Sequence, residues 1–192
     1  MNNEVIDELL TELQVESTFN SDTLDILDQG ESRYIKDLKV NVKNVLQSDY
    51  LSEKECALIG LAIAVNGQNE VLKKFYLNLS TEKGATKAET AEVVACASLL
   101  ATNNVLYRFR HFVKKDKYNQ LQGRIKMSIM MNPVLGKEFF ELVSLAVSAV
   151  NACEMCINAH EQSVLNHGGS EERIFDAIRI AAVITGLSKI VN

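Results

Sequence analysis

Residues 137–170 read KEFFELVSLAVSAVNACEMCINAHEQSVLNHGGS. From Lys137 to Val150 the run is apolar enough for a buried helix, and no two-residue alternation persists long enough to demand a strand. Asn151-Ala152 interrupts that helix, and a second is predicted over 153–167. Gly168-Gly169 ends the second, and Ser170 with Glu171 and Glu172 reads as a capping box opening a third over 171–184. Outward from this stretch the same period recurs. Val5, Leu9, Leu10 and Leu13 mark a first segment, and Tyr34, Ile35, Leu38, Val42, Val45 and Leu46 a second. Further helices are predicted over 51–66, where Ser52 and Glu55 form a capping box, and over 68–81, 86–101 and 103–114. A chain of 192 residues with one proline and nine glycines lacks the turns of an all-β protein. At 47% hydrophobic and 23% charged it is globular rather than disordered. The predicted class is all-α.

Ala64-Val65-Asn66 returns as Ala149-Val150-Asn151. Each copy follows an apolar helix and precedes a second helix, a glycine break (Gly84; Gly168-Gly169) and a third helix, with Thr86 opposite Ser170. This order predicts two internal repeats within one domain spanning 1–192. The first covers about 51–115, the second about 131–190, and residues 1–50 form an added helical arm. Up to position 32 the arm carries nine acids (Glu4, Asp7, Glu8, Glu12, Glu16, Asp22, Asp25, Asp28, Glu31) and no Lys or Arg. A solvated helix face accounts for them better than an acidic arm for a basic partner. A net charge of −5 argues against nucleic acid as a partner. Arg108, Arg110, His111, Lys114, Lys115 and Lys117 with Tyr107, Phe109 and Phe112 form a basic aromatic cluster, read as a solvated or subunit-facing helix. The acidic start MNNEVIDELL is no signal peptide. The longest apolar run, Leu58 to Val65, is far short of the roughly 20 residues that span a bilayer. A soluble, cytoplasmic protein is expected, in which four cysteines are not a disulfide scaffold.

The second repeat holds what the first lacks. Cys153, Cys156 and His160 fall within an arc of about 60° on a helix, and residues three apart stand about 5 Å apart at Cα, within disulfide range. A position in the first turn favours a thiolate through the helix dipole. The leading reading is a redox dithiol. A zinc site using Cys153, Cys156, His160 and His167 is disfavoured by about 10 Å of rise between the histidines. Covalent haem attachment would need histidine where Ile157 stands. Two inert buried cysteines remain the third alternative, and that reading is preferred for Cys56 and Cys96. Glu141 is balanced between two readings. One is a general base with a pKa raised by desolvation; the other is a first-turn acid, with Glu138 alongside, favoured by the helix dipole.

Met131-Asn132-Pro133 through Glu141, Leu145 to Val150, and Cys153-x-x-Cys156-x-x-x-His160-Glu161 resemble the alkylhydroperoxidase AhpD family, within the carboxymuconolactone decarboxylase-like superfamily. Asn103 to His111 resembles that family's first-half segment. The likeness runs over roughly 40–190. It implies an all-helical AhpD-like fold with two repeats, commonly a homotrimer. The implied enzyme is an antioxidant oxidoreductase whose dithiol reduces hydroperoxides directly or regenerates a peroxiredoxin of the alkyl hydroperoxide reductase C type. Its implied reductant is a dihydrolipoyl group on a lipoyl-bearing dehydrogenase-complex component; no bound cofactor or metal is implied. By the same resemblance Cys156 is the nucleophile, passing through a sulfenic acid or mixed disulfide. Cys153 is the proton donor and resolving thiol, and Glu141 (general base) with His160 forms the proton relay. Some members carry a histidine between the cysteines, where this chain has Glu154-Met155. Dipole reasoning alone would choose Cys153 as the more acidic thiol. Glu141 is expected across from the 153–160 helix, within direct or one-water reach of a thiol or imidazole. The rival functions are a non-redox decarboxylase-like enzyme on the same scaffold and a helical metal-binding or interaction module.

Overall fold

The computed structural model describes residues 2–16, 19 and 21–192, so positions 1, 17, 18 and 20 of the predicted arm lie outside the described residues. Every regular element among the described residues is helical: α1 (Asn2–Glu12), α2 (Asp22–Gln29), α3 (Tyr34–Val45), α4 (Glu53–Asn66), α5 (Glu70–Glu82), α6 (Lys87–Val113), α7 (Asp116–Gln120), α8 (Lys137–Val150), α9 (Glu154–Asn166) and α10 (Glu171–Leu187), with a 3-10 turn at Ser128–Met130. None of these helices is long and apolar enough to cross a membrane.

Two helices form the centre. Every residue of α4 from Cys56 to Ala64 is buried, as is every residue of α8 from Phe139 to Ser148. A helix apolar on all sides can be stable in water only when other helices surround it. Accordingly α4 packs against α5, α6, α8 and α10, while α8 packs against α6, α9 and α10 as well. In the amino-terminal arm α3 lies on α10 and α1 on α3, burying Leu9, Leu13, Ile35, Leu38 and Val42. Seven of the nine early acids, Glu4, Asp7, Glu8, Glu16, Asp22, Asp25 and Glu31, are exposed, and Glu8 pairs with Lys39.

Two local expectations need correction. The stretches read as separate helices over 86–101 and 103–114 are one helix, α6, of 27 residues. No Gly or Pro interrupts them, and Asn104, a residue type that would otherwise turn to its own backbone, instead donates to Ser148 Oγ at 3.1 Å. Ser170 caps α10 by accepting from the Arg173 N–H, but Arg173 occupies the third helical position, so the reciprocal half of a capping box is missing. A full box occurs instead at Thr86 and Glu89. The helices α2 and α7, of 8 and 5 residues, are too short to leave a periodic signature.

The repeated Asn66 and Asn151 meet. Asn66 Nδ2 donates to Asn151 Oδ1 at 3.0 Å and Asn151 Nδ2 donates to Asn66 Oδ1 at 3.1 Å. The ends of the two central helices are thereby tied side by side. Glu92 of α6 accepts the N–H groups of Val134 and Leu135 at 2.8 and 2.7 Å, which fixes the loop leading into α8.

Candidate active site

The site forms where α8 hands over to α9. Its α8 side is set by Asn151, the C-cap, after which Ala152 takes a left-handed conformation with φ 54°. That reversal places Cys153 at the N-cap of α9, one position earlier than the first-turn location the sequence suggests, and Cys156 in the first turn. The two cysteines are joined by a disulfide with a Cα separation of 5.3 Å. Cys153 is completely buried and Cys156 nearly so.

Glu141 and His160 stand face to face. His160 Nδ1 lies 2.6 Å from Glu141 Oε2, and Lys137, one turn before Glu141 on α8, places Nζ 2.7 Å from Oε1. The same ammonium donates to the Met130 carbonyl at 3.0 Å. Glu141 is buried, and burial pushes its pKa up. The hydrogen bonds from His160 and Lys137, with their positive charge, outweigh burial and leave the carboxyl below the ordinary carboxylate range. The direction is opposite to the raised pKa that one of the two sequence readings supposed. An ionised carboxylate only accepts hydrogen bonds, so in the neutral imidazole the hydrogen sits on Nδ1 and the lone pair on Nε2. Glu141 thereby fixes the orientation of the His160 ring.

Cys156 and His160 also line one cavity of about 370 Å³, together with Leu100, Asn103, Tyr107, Met127, Met130, Met155 and Ala159. Its walls are mainly apolar. Asn103 donates to Met127 Sδ at 3.1 Å, and its buried Oδ1 has no partner among the described residues. Cys153 is not on this wall. The geometry thus offers one cysteine sulfur, one imidazole and one spare amide acceptor around an apolar space. Once the disulfide is reduced, such a set can hold a small organic substrate against a thiol whose proton has a nearby acceptor.

The remaining sequence candidates fall elsewhere. Cys56 and Cys96 are buried in α4 and α6, and burial, reinforced by nearby carboxylates, pushes both thiols up to about 12. His167 bonds at its own helix end, with Nδ1 2.7 Å from the Ser163 carbonyl oxygen. Lys137 and Asn103 were not singled out by sequence reasoning. The spacing of Lys137 and Glu141, four apart on one helix, was the available signal for the first; nothing local marks Asn103.

A model of the carboxymuconolactone decarboxylase family matches residues 118–192. Among curated proteins, alkyl hydroperoxide reductase AhpD of Coxiella burnetii (strain RSA 493 / Nine Mile phase I) is 39% identical over 160 residues, covering 82% of this chain and 90% of that protein. The AhpD of Anaeromyxobacter dehalogenans (strain 2CP-C) is 38% identical over 161 residues, covering 84% and 86%. Among solved structures, a protein described as a gamma-carboxymuconolactone decarboxylase subunit of Burkholderia xenovorans LB400 superposes with a TM-score of 0.68 at 16% identity, covering 99% of this chain and 93% of that one. That likeness is one of fold.

Proposed function

The chain belongs to the AhpD family, and from that premise we propose that it is an antioxidant oxidoreductase whose Cys153–Cys156 dithiol delivers electrons to hydroperoxides. The observation that carries this reading is the disulfide itself, placed beside the Glu141–His160 pair and opening through Cys156 onto an apolar cavity. In the reduced state Cys156 gives up its proton to His160, whose charged form Glu141 stabilises. The thiolate attacks the terminal oxygen of ROOH; the O–O bond breaks, Cys156 becomes a sulfenic acid, and His160 returns the proton to the leaving RO⁻. Cys153 then attacks the Cys156 sulfur, closing the disulfide and releasing water. The same thiolate regenerates an oxidised peroxiredoxin by thiol–disulfide exchange. A dihydrolipoyl group reopens the disulfide, and the apolar walls and methionines of the cavity suit its alkyl chain.

Two features support Cys156 over Cys153 as the attacking sulfur. Cys156 lies on the cavity wall, and it stands one turn from His160. The dipole preference for Cys153 amounts to about 0.3–1 kcal/mol, less than an adjacent base supplies.

Residues 51–115 and 131–190 are read as two copies of one three-helix unit, of which only the second acquired the dithiol. The chain works as a cytoplasmic homotrimer. Val105, Phe109 and Phe112, exposed and spaced along one side of α6, supply an apolar face for that assembly. The test is an electron-transfer assay with dihydrolipoamide and cumene hydroperoxide, with and without a peroxiredoxin. Turnover that disappears in Cys156→Ser supports the proposal. A fully reducible protein that transfers no electrons to either acceptor refutes it. The decarboxylase alternative has one observation in its favour, the carboxymuconolactone decarboxylase family match; it requires activity that survives Cys156→Ser.

A further inference from the structure

Three polar side chains of α6 run along the segment that presents the dithiol. Asn104 Nδ2 donates to Ser148 Oγ at 3.1 Å, and Asn104 Oδ1 accepts from Asn151 Nδ2 at 2.9 Å. Arg108 Nη1 donates to the Asn151 carbonyl at 2.7 Å. His111 Nε2 lies 3.2 Å from Glu154 Oε2. Residues 104, 108 and 111 are spaced i, i+4 and i+7, a single stripe of one helix. Their partners, 148, 151 and 154, flank the left-handed Ala152 turn and Cys153 on both sides, and the Cys153 N–H is itself bonded to the Ser148 carbonyl at 3.1 Å.

We propose that this stripe, with Arg108 at its centre, is a set of positioning residues that holds the redox turn in its closed geometry and thereby sets the poise of the dithiol. The inference rests on the reading that Cys153 and Cys156 cycle between disulfide and thiols. A turn already held with Cys153 beside Cys156 makes ring closure an intramolecular reaction at high effective concentration. If the turn is released, the dithiol gains conformational freedom that closure must remove again. The disulfide then becomes easier to open. The guanidinium is well suited to this task, because its planar fork fixes a direction of approach to the carbonyl of the α8 C-cap, where positive charge is also favourable. Part of the basic cluster around residues 107–117 thereby gains a role inside the molecule.

The test is the equilibrium in which reduced dithiothreitol gives two electrons and two protons to the Cys153–Cys156 disulfide and becomes the cyclic disulfide, followed by thiol trapping. Arg108→Met is expected to shift this equilibrium about tenfold toward the dithiol, which is about 30 mV for a two-electron couple. Arg108→Lys, able to donate to the same carbonyl, is expected to restore most of the shift. His111→Ala, at a half-exposed position, moves the equilibrium the same way by about threefold and serves if Arg108→Met does not fold. Arg110→Met is the control, since its guanidinium donates to the Leu121 carbonyl instead. Unshifted equilibria in both Arg108→Met and His111→Ala, or an equal shift in Arg110→Met, would overturn the inference. A wild-type disulfide that dithiothreitol cannot open and reclose would instead remove the redox reading itself.

Discussion

Glu141 is a carboxylate that burial alone would neutralise and that two cationic neighbours keep ionised. Its folded pKa is depressed, so its contribution to stability is fully present above the ordinary carboxylate value and is lost as pH falls through the lower folded one. The stability difference between wild type and Glu141→Gln should therefore be large at pH 7 and shrink below about pH 4, as followed by thermal unfolding. Turnover behaves differently. Glutamine can donate to Nδ1 and hold the imidazole in the wrong tautomer, so Glu141→Gln should lose about a hundredfold in rate at pH 7. Part of that loss should return at higher pH, where thiolate forms without the base; a variant that is merely unfolded would not recover. The four cysteines should also divide in two. With thiols pushed from 9 to about 12, Cys56 and Cys96 hold roughly a thousandfold less thiolate than an ordinary cysteine. Iodoacetamide added to the reduced native protein should thus label Cys156, which lines the cavity, and spare Cys56 and Cys96 in a peptide map. The spacing of Cys153, Cys156 and His160 was legible in the sequence, because one helix brings them together. The sign of the Glu141 shift was not, because it depends on His160 arriving from a different helix.

Helix by helix, the sequence is most informative where a pattern is local. Both buried helices, α4 and α8, are legible as predominantly apolar segments. The continuity of α6 is not, because Asn103 and Asn104 resemble a break until their tertiary partners are known. Close packing of α4 on α5 is likewise invisible in one dimension. A Cβ at Gly60 would stand 2.4 Å from the Tyr76 ring, so Gly60→Ala should destabilise the protein by about 1–3 kcal/mol through overpacking. The same ring carries a buried hydroxyl without a hydrogen-bond partner among the described residues. Tyr76→Phe removes that hydroxyl and should leave stability unchanged or raise it by about 1 kcal/mol. Chemical denaturation of the two variants checks both signs.

At the scale of the whole molecule, Arg173 of α10 gathers Glu55 of α4 and Glu138 of α8 and donates to the Tyr50 carbonyl at 2.7 Å. The class all-α and the existence of a domain built around two apolar helices follow from composition and period. Which helices meet does not, since ties such as this one join residues more than 30 positions apart, Arg173 to Glu138 among them. Burial raises the Glu55 pKa, but Arg173 and Ser52 more than offset it and the net shift is downward. Arg173→Met should therefore cost about 2 kcal/mol at neutral pH, less than a fully buried pair, and less in acid once the carboxyls are protonated. Sedimentation at micromolar concentration should give a trimer. The central claim is that Cys156 attacks and Cys153 resolves. Mass spectrometry of Cys153→Ser and Cys156→Ser after hydroperoxide challenge tests it most directly. The account predicts a persistent sulfenic acid or trapped mixed disulfide on Cys156 in Cys153→Ser and none on Cys153 in Cys156→Ser; an adduct on Cys153 in Cys156→Ser, with Cys156 unmodified in the other variant, would contradict it.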